Sequence, residues 1–465
     1  MKSTNKVSLK VKNLLDRIEK DKIKSNVLQA IPFWIASLVT GLIAVLYAKL
    51  FAQTEVLYNC ILHLGTWWML LLTPFTFVLA YFLVDKYARY ARGSGIPQVM
   101  AALELPNTAS DQKLTKLVGI RVMLVKIGSS LLMILGGAVI GREGPTIQIA
   151  GSVFKKINQW VPESWPKISK RTMIMTGAAA GLAAAFNTPL GGIVFAVEEL
   201  TNTHIRYFRT AIFSAVIIAG LTAQGFLGPY LYLGYPNVSN LGVYIFGGVV
   251  LVSVLTGLLG SGMCAVILRI LRWKKGFTKL QNYLYVVAAA VIIVLFTIIS
   301  QKASGSGKDL MNELLFNSNK YQHWYMPLLR ITGSVTSFTT GAAGGVFAPA
   351  LASGASIGAL VAQWLHLTLT DTNLLILAGM VGFLTGVTRT PFTSAILVLE
   401  MTDRHSVIFY LMLAGMVASI AAIIIDKHSF YDHLKHDYTL SLEEEDKEEE
   451  RLAKEATIAE ICTDR

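Results

Sequence analysis

The chain has 465 residues, of which 53% are hydrophobic and only 15% charged. Soluble domains carry about 25% charged residues, so this chain lacks the polar surface to cover itself in water, and a soluble enzyme or binding module is excluded. Its net charge of +12, from 41 Lys and Arg against 29 Asp and Glu, reads as the cytosolic cation excess of a membrane protein rather than a nucleic-acid surface. No nucleic-acid partner is expected.

Residues 1–24 carry eight Lys or Arg against three acids. Val7, Leu9, Val11, Leu14, Leu15 and Ile18 give this segment an apolar face, so residues 1–27 read as a cytosolic amphipathic helix. No small-residue cleavage site follows the first apolar run, which argues against a signal peptide. Residues 25–48, 210–268, 283–301 and 406–425 contain no Asp, Glu, Lys or Arg. Crossing a hydrocarbon core as a helix takes roughly 20 apolar residues. The 210–268 run holds two spans, broken at Gly228-Pro229 and Gly234-Tyr235-Pro236. The runs are continuous rather than alternating, which predicts helices and not a barrel. A second basic cluster, Lys86, Arg89 and Arg92, follows the second apolar segment, so two crossings separate it from the first. Beyond residue 438 the chain is polar, with an acidic run from Glu443 to Glu450. Three cysteines, Cys60, Cys264 and Cys462, offer no disulfide framework and no metal spacing.

The chain repeats itself at an offset of about 202 residues. Gly177, Leu182, Thr188, Pro189 and Glu198 match Gly379, Leu384, Thr390, Pro391 and Glu400 without a gap. Upstream, Gly141-Arg-Glu-Gly-Pro145 matches Gly345-Val-Phe-Ala-Pro349. A two-fold repeat in a membrane chain is a transporter signature, with the substrate site near the midplane where broken helices of the two halves meet. The expected organisation is a first membrane repeat over 28–230, a second over 231–437 with a terminal cytosolic helix, and an acidic cytosolic tail over 438–465.

Three stretches share one grammar: Gly93-Ser94-Gly95-Ile96-Pro97, Gly141-Arg142-Glu143-Gly144-Pro145 and Gly345-Val346-Phe347-Ala348-Pro349. Each precedes an apolar segment and puts proline where a helix begins, where its missing N–H costs nothing. Glycines such as Gly95 and Gly144 let the backbone unwind and turn N–H groups outward. Helix N-termini carry free donors and a partial positive charge. Three of them converging in a membrane would bind an anion and still release it, as a full charge would not. Glycine and proline also kink membrane helices for packing; three motifs of one form, one holding a charged pair, favour the anion site.

Glu143 stands in an otherwise apolar stretch over 127–154, beside Arg142. An ionisable residue there is costly and usually functional. A carboxylate near helix N-termini is itself an anion, so it can take the place of a bound anion until a proton removes its charge. A static Arg142–Glu143 pair is the rival reading, weakened because adjacent helical residues do not face each other. Glu198, matched by Glu400, suggests a structural role at a helix end. Glu199 is matched by Met401, so symmetry does not explain it, and it is a candidate second acid that loads Glu143 from the cytosol. Lys126 and Arg142 either raise the local positive potential, snorkel, or pair. An intramembrane enzyme would need a nucleophile or metal site, and the chain has neither His-Glu-x-x-His nor Gly-x-Ser-x-Gly.

Together these motifs, with Gly177 to Leu190 and Gly344 to Pro349, resemble the CLC family of chloride channels and chloride/proton exchangers over roughly residues 28–437. The resemblance implies an all-α polytopic membrane protein of two inverted-topology repeats with tilted and broken helices, forming a homodimer with one pore per subunit. It implies chloride/proton antiport, without cofactors, in the cell (inner) membrane with both termini cytosolic. Ser94 would coordinate chloride through its hydroxyl, Val346 and Phe347 through backbone N–H groups, and Tyr431 would close the inner side of the site. Glu143 matches the external gating glutamate and Glu199 the internal proton glutamate typical of exchangers. Both favour exchange over passive chloride conduction on the same scaffold. The chain runs to Arg465 without the paired nucleotide-sensing domains of many relatives. Gln98 and Met100 stand where bacterial exchangers often carry acids. Ser94, in place of Pro, argues for chloride over nitrate, and the Glu143 motif is unlike that of the fluoride-exporting branch.

Overall fold

The computed structural model describes residues 21–105, 111–200, 209–228, 232–239, 242 and 244–463. The amphipathic helix expected at the N-terminus lies, up to residue 20, outside the described residues. From there the chain is helical. The first half comprises α1 (Asp21–Leu64), α2 (Met69–Tyr87), α3 (Ile96–Glu104), α4 (Asp111–Leu117), α5 (Ile120–Leu135), α6 (Glu143–Trp160), α7 (Lys170–Phe186), α8 (Pro189–Phe195) and α9 (Arg209–Leu227). The second comprises α10 (Ile245–Lys274), α11 (Lys279–Ile299), α12 (Lys308–Phe316), α13 (Met326–Thr339), α14 (Phe347–Trp364), α15 (Leu369–Thr388), α16 (Pro391–Thr402), α17 (Ile408–Ile423) and α18 (Phe430–Thr463).

Among the described residues, eight helical stretches are long and apolar enough to cross a membrane. They include the charge-free runs picked out in the sequence. The 210–268 run splits as expected, into Thr210–Leu227 and Ile245–Lys274. Gly228 and Gly234 both adopt the left-handed backbone that ends the first span. Apolar side chains such as Leu46, Leu71 and Phe75 face outward, which a bilayer tolerates and water would not. Trp68, Trp160, Trp273 and Trp364 are exposed at helix ends, where indole rings sit at membrane–water interfaces.

The repeat is geometric as well as textual. α7 ends on Asn187 in the left-handed region (φ 56) and α15 on Arg389 (φ 64); Thr-Pro follows in each case and opens the next helix. The two halves then cap each other. The Glu198 carboxylate accepts the N–H groups of Phe392 (3.2 Å) and Thr393 (2.7 Å) at the start of α16. Glu400 accepts those of Leu190 (3.0 Å) and Gly191 (2.7 Å) at the start of α8. Each helix leaves its first N–H groups unsatisfied, and each repeat supplies the acid for the other. The structural role expected for this pair is thereby a reciprocal helix cap.

Helices within a half approach closely over small residues, as membrane helices do. Gly354 of α14 lies directly on the Gly379 carbonyl of α15, with the Phe383 Cβ 2.9 Å from where a Gly354 Cβ would stand.

The last helix, α18, runs unbroken through the 437–438 boundary expected between repeat and tail. Its acids dock on the first half: Asp446 on Lys113 (2.5 Å), and Glu445 and Glu449 on Lys116 (3.2 and 2.8 Å). Lys275, just past α10, joins it through Asp437 (2.8 Å). The basic ends of α4 and α10 thus share one face of the molecule with α18, and Arg92, past the end of α2, lies over the Tyr438 ring of the same helix.

Gly354→Ala should force α14 away from α15 and cost about 1–3 kcal/mol, read as a melting temperature several degrees lower in detergent. Gly225→Ala, whose new methyl meets nothing within 4 Å, should leave the melting temperature unchanged or slightly raised.

Candidate functional site

Two backbone bridges bring the three Gly/Pro motifs together. They are the isolated β-bridges Gly93–Ala343 and Gly141–Gly345, the first parallel and the second antiparallel. The Gly93 N–H donates to the Ala342 carbonyl (2.9 Å) and the Gly344 N–H to the Gly93 carbonyl (3.1 Å). Gly141 and Gly345 exchange N–H to carbonyl bonds of 2.8 and 2.9 Å. The antiparallel bridge joins equivalent positions of the two repeats, as inverted halves require. The N-termini of α3, α6 and α14 consequently meet in the interior.

Side chains leave no slack at this junction. A Cβ on Gly144 would stand on the Ser94 hydroxyl, and one on Gly95, whose φ is +108°, would meet Gln148 and the Gly144 carbonyl at 2.9 Å. Carbonyls of the loop before α3 are turned away from the junction. Lys126 donates to the carbonyls of Gly93 (2.8 Å) and Arg92 (3.4 Å). Gln98 donates to those of Tyr90 (3.2 Å) and Arg92 (2.7 Å). Gln148 donates to those of Tyr90 (3.1 Å) and Leu117 (2.7 Å). These bonds occupy the loop's carbonyls, while the Oε1 atoms of Gln98 and Gln148 stay buried without a partner. Lys126 thus pairs with backbone carbonyls rather than with a carboxylate. Met100 is buried.

Ser94, Glu143, Val346, Phe347 and Tyr431 are all buried, none more than 1% exposed. Tyr431 opens α18 and lies with its ring stacked on that of Phe347 (centroids 6.3 Å apart, 13° between planes). The hydroxyls of Ser94 and Tyr431 are neighbours, yet neither reaches hydrogen-bond geometry with a protein group. Buried hydroxyls are normally bonded, and an orphan asks for a partner from outside the chain. The first N–H groups of α14, at Val346 and Phe347, have no intrahelical acceptor. Two orphan hydroxyls beside the open N–H groups of α14 are donors of the kind a small anion accepts from.

Glu143 begins α6, with Arg142 as the residue that caps it. One carboxylate oxygen, Oε1, accepts from the Tyr232 hydroxyl at 3.4 Å. The other, Oε2, is buried over Gly141 and faces the backbone N–H groups of Glu143 and Ala348 without settling into hydrogen-bond geometry with either. The carboxylate therefore sits where the N-termini of α6 and α14 offer their donors, as an anion in that position would.

Glu199 lies in a wide helical turn over Ala196–Leu200 that continues α8. Its Oε1 is buried without a partner. Its charged neighbours are Asp432, Glu198 and Lys435; Lys435 bridges Asp432 (3.2 Å) and Glu104 (2.7 Å). This places Glu199 toward the basic face. Among the described residues no group of three His, Cys, Asp or Glu side chains comes together to hold a metal.

Sequence reasoning missed three participants. Gln148 reads as an ordinary polar residue in a helix. Tyr232 sits in the connection between the halves, outside both repeated motifs. Arg330, wholly buried, donates to the carbonyls of Ala303, Ser304, Gly305 and Ser306. A lone arginine in the otherwise apolar 326–338 stretch was the same signal that singled out Glu143.

Comparison with known proteins agrees with this architecture. A family profile described as voltage gated chloride channel matches residues 76–422. The chain is 30% identical over 410 residues to the H(+)/Cl(-) exchange transporter ClcA of Citrobacter koseri, covering 83% of this chain and 84% of that protein. It is 29% identical over 420 residues to the protein of the same name from Salmonella arizonae, covering 85% and 86%. Among solved structures it resembles a slow cyanobacterial Cl-/H+ antiporter, with a TM-score of 0.77 and 24% identity over 89% of this chain and 98% of that one. It also resembles a CLC-type fluoride/proton antiporter, with a TM-score of 0.73 and 22% identity over 89% and 98%. At such identities the structural likeness establishes the fold.

Gly144→Ala should push the Ser94 hydroxyl off the junction. Chloride binding, titrated calorimetrically in detergent, should weaken at least tenfold, while the melting temperature falls by only a few degrees.

Proposed function

The chain belongs to the voltage gated chloride channel family, and we propose that it exchanges chloride for protons across the membrane as a secondary transporter. The observation that carries this is the Glu143 carboxylate seated on the donors of two helix N-termini, beside the orphan hydroxyls of Ser94 and Tyr431. Chloride binds between those hydroxyls and the N–H groups of Val346 and Phe347. Partial charges suit turnover, since the ion must leave as well as enter.

Glu143 gates the outer side. At about 4 Å and an effective dielectric of 20, two like charges repel by about 4 kcal/mol. A chloride and a charged carboxylate in adjacent positions therefore disfavour each other by roughly a thousandfold. Chloride arrival drives the carboxylate to leave or to take a proton, and protonation removes its claim on the donors. One group is both plug and proton carrier, and this couples the two fluxes. Arg142, at the cap of α6, adds positive potential at the outer approach. Glu199, part-buried and toward the basic face, passes protons between Glu143 and that side. By the positive-inside rule the face that gathers Lys86, Arg89, Arg92, Lys113, Lys116 and Lys275 is cytosolic. α18 is then cytosolic, as the C-terminus is, and the chain resides in the cell (inner) membrane. The working unit is a homodimer with one pore per subunit, as the family resemblance implies. Chloride and protons are the transported ions, and no cofactor enters the scheme.

Purified protein in liposomes with an imposed chloride gradient should pump protons uphill. Robust chloride flux without proton movement would make it a channel. Glu143→Ala should abolish proton movement while chloride still flows. Glu199→Gln should reduce proton flux at least tenfold and keep chloride flux within a fewfold of the parent. Proton flux surviving that change would remove Glu199 from the route.

A further inference from the structure

Tyr232 belongs to neither repeated motif, yet its hydroxyl ends against Glu143. The residue is 4% exposed. Its ring is fixed from below by an aromatic column. It meets Phe186 edge to face (centroids 5.3 Å apart), Phe186 leans on Phe347 (6.2 Å), and Phe347 stacks on Tyr431. From the other side the Lys308 amine lies 5.1 Å from the ring centroid. The backbone is pinned next door, where the Leu233 N–H donates to the Met401 carbonyl at 3.1 Å. Lys308 is itself well placed, because Arg330 holds the carbonyls of the preceding loop and the Ser306 N–H donates to Glu55 (3.0 Å). Tyr232 and Lys308 line a cavity of about 480 Å³, open to the outside, with Asn312 and Phe316. Tyr232 thus borders the cavity and also reaches Glu143, its hydroxyl 3.4 Å from Oε1.

We propose that Tyr232 is a positioning residue for the gate, its hydroxyl holding the charged Glu143 carboxylate on the outer anion position. The inference rests on the reading of Glu143 as the gate. The phenol donates and the carboxylate accepts, so the bond favours the seated, charged plug over a plug displaced by chloride. The column prevents the ring from following the carboxylate when it swings out, and the bond is then lost. A hydrogen bond of this length is worth about a fivefold bias. Tyr232 thus makes chloride compete harder for the outer position, and keeps the outer side closed between proton arrivals.

Tyr232→Phe keeps the ring and its packing and deletes only the donor. Chloride titrated into the purified variant by calorimetry near neutral pH should bind about fivefold tighter than to the parent. In a Glu143→Gln background the same change should leave chloride affinity within a factor of about 1.5, because there is no charged plug left to hold. A merely structural tyrosine would shift both backgrounds alike. Equal shifts in the two backgrounds, or no shift with Glu143 present, overturn the proposal. Chloride efflux from liposomes gives the second readout, faster on Tyr232→Phe with Glu143 and unchanged without it. If Glu143→Gln alone binds chloride no more tightly than the parent, the gate reading fails and Tyr232 has no plug to position. That outcome is separate from one in which the gate stands and Tyr232 does nothing.

Discussion

Two pairs of backbone hydrogen bonds, at Gly93 with Ala342 and Gly344 and at Gly141 with Gly345, hold three helix N-termini against one another. In water such short bridges would be trivial. Inside a membrane, where an unpaired N–H or carbonyl costs several kcal/mol, they decide which backbone groups stay free. The carbonyls are consumed, by the bridges and by Lys126, Gln98 and Gln148. What is left at the junction includes the first N–H groups of α6 and α14 and the hydroxyls of Ser94 and Tyr431. The proposed site rests on that sorting: the free donors are those an anion takes, and the Glu143 carboxylate, itself an anion, lies against them.

The same economy appears at the ends of the halves. Glu198 and Glu400 exchange caps, so neither α8 nor α16 starts with bare donors, and neither acid is left as an unpaired charge. Glu199 follows Glu198 directly and receives no such partner. The contrast between neighbours is informative. One acid is spent on structure and is mirrored in the repeat; the other is part-buried, has one carboxylate oxygen without a partner, and is unmirrored. A structural account covers the first and does not reach the second, which is why the proposal gives Glu199 a part in proton transfer.

The parts legible in the sequence were those whose chemistry is local. A Gly-x-x-Gly-Pro run states on its own that a helix begins where the backbone has just turned, and a charge in an apolar stretch announces itself. Hence the sequence points to Ser94, Glu143 and the start of α14, which the fold brings to one buried junction, and to the split of the 210–268 run. The rest depends on residues that acquire meaning only through distance in sequence. Gln148 matters because Tyr90 and Leu117 come to it. Tyr232 matters because folding delivers a connecting segment over Glu143, and no periodicity records that. The acidic run at the C-terminus looked like a solvated tail since its partners, Lys113 and Lys116, lie more than three hundred residues away. Phe186 and Phe347 carried no mark of forming a column with Tyr431, being two of 21 phenylalanines in an apolar chain.

Lys126 shows how the fold keeps a strong donor near an anion site without letting it trap the ion. A lysine amine beside chloride in a low-dielectric interior would bind it with far more than the strength of a helix terminus, and release would be slow. Here the amine reaches the Gly93 carbonyl instead. That carbonyl belongs to the peptide whose N–H is that of Ser94. Drawing electron density toward the oxygen makes the N–H at the other end a better donor, as chained hydrogen bonds do. Charged or neutral, the lysine acts on the site through one peptide group, so its influence arrives as a larger partial charge and not as an ion. The second carbonyl it touches, that of Arg92, is at 3.4 Å and belongs to the adjoining peptide. The lysine therefore also fixes the left-handed turn at Gly93 that aims α3 inward, and its electrostatic and conformational effects come from the same two contacts.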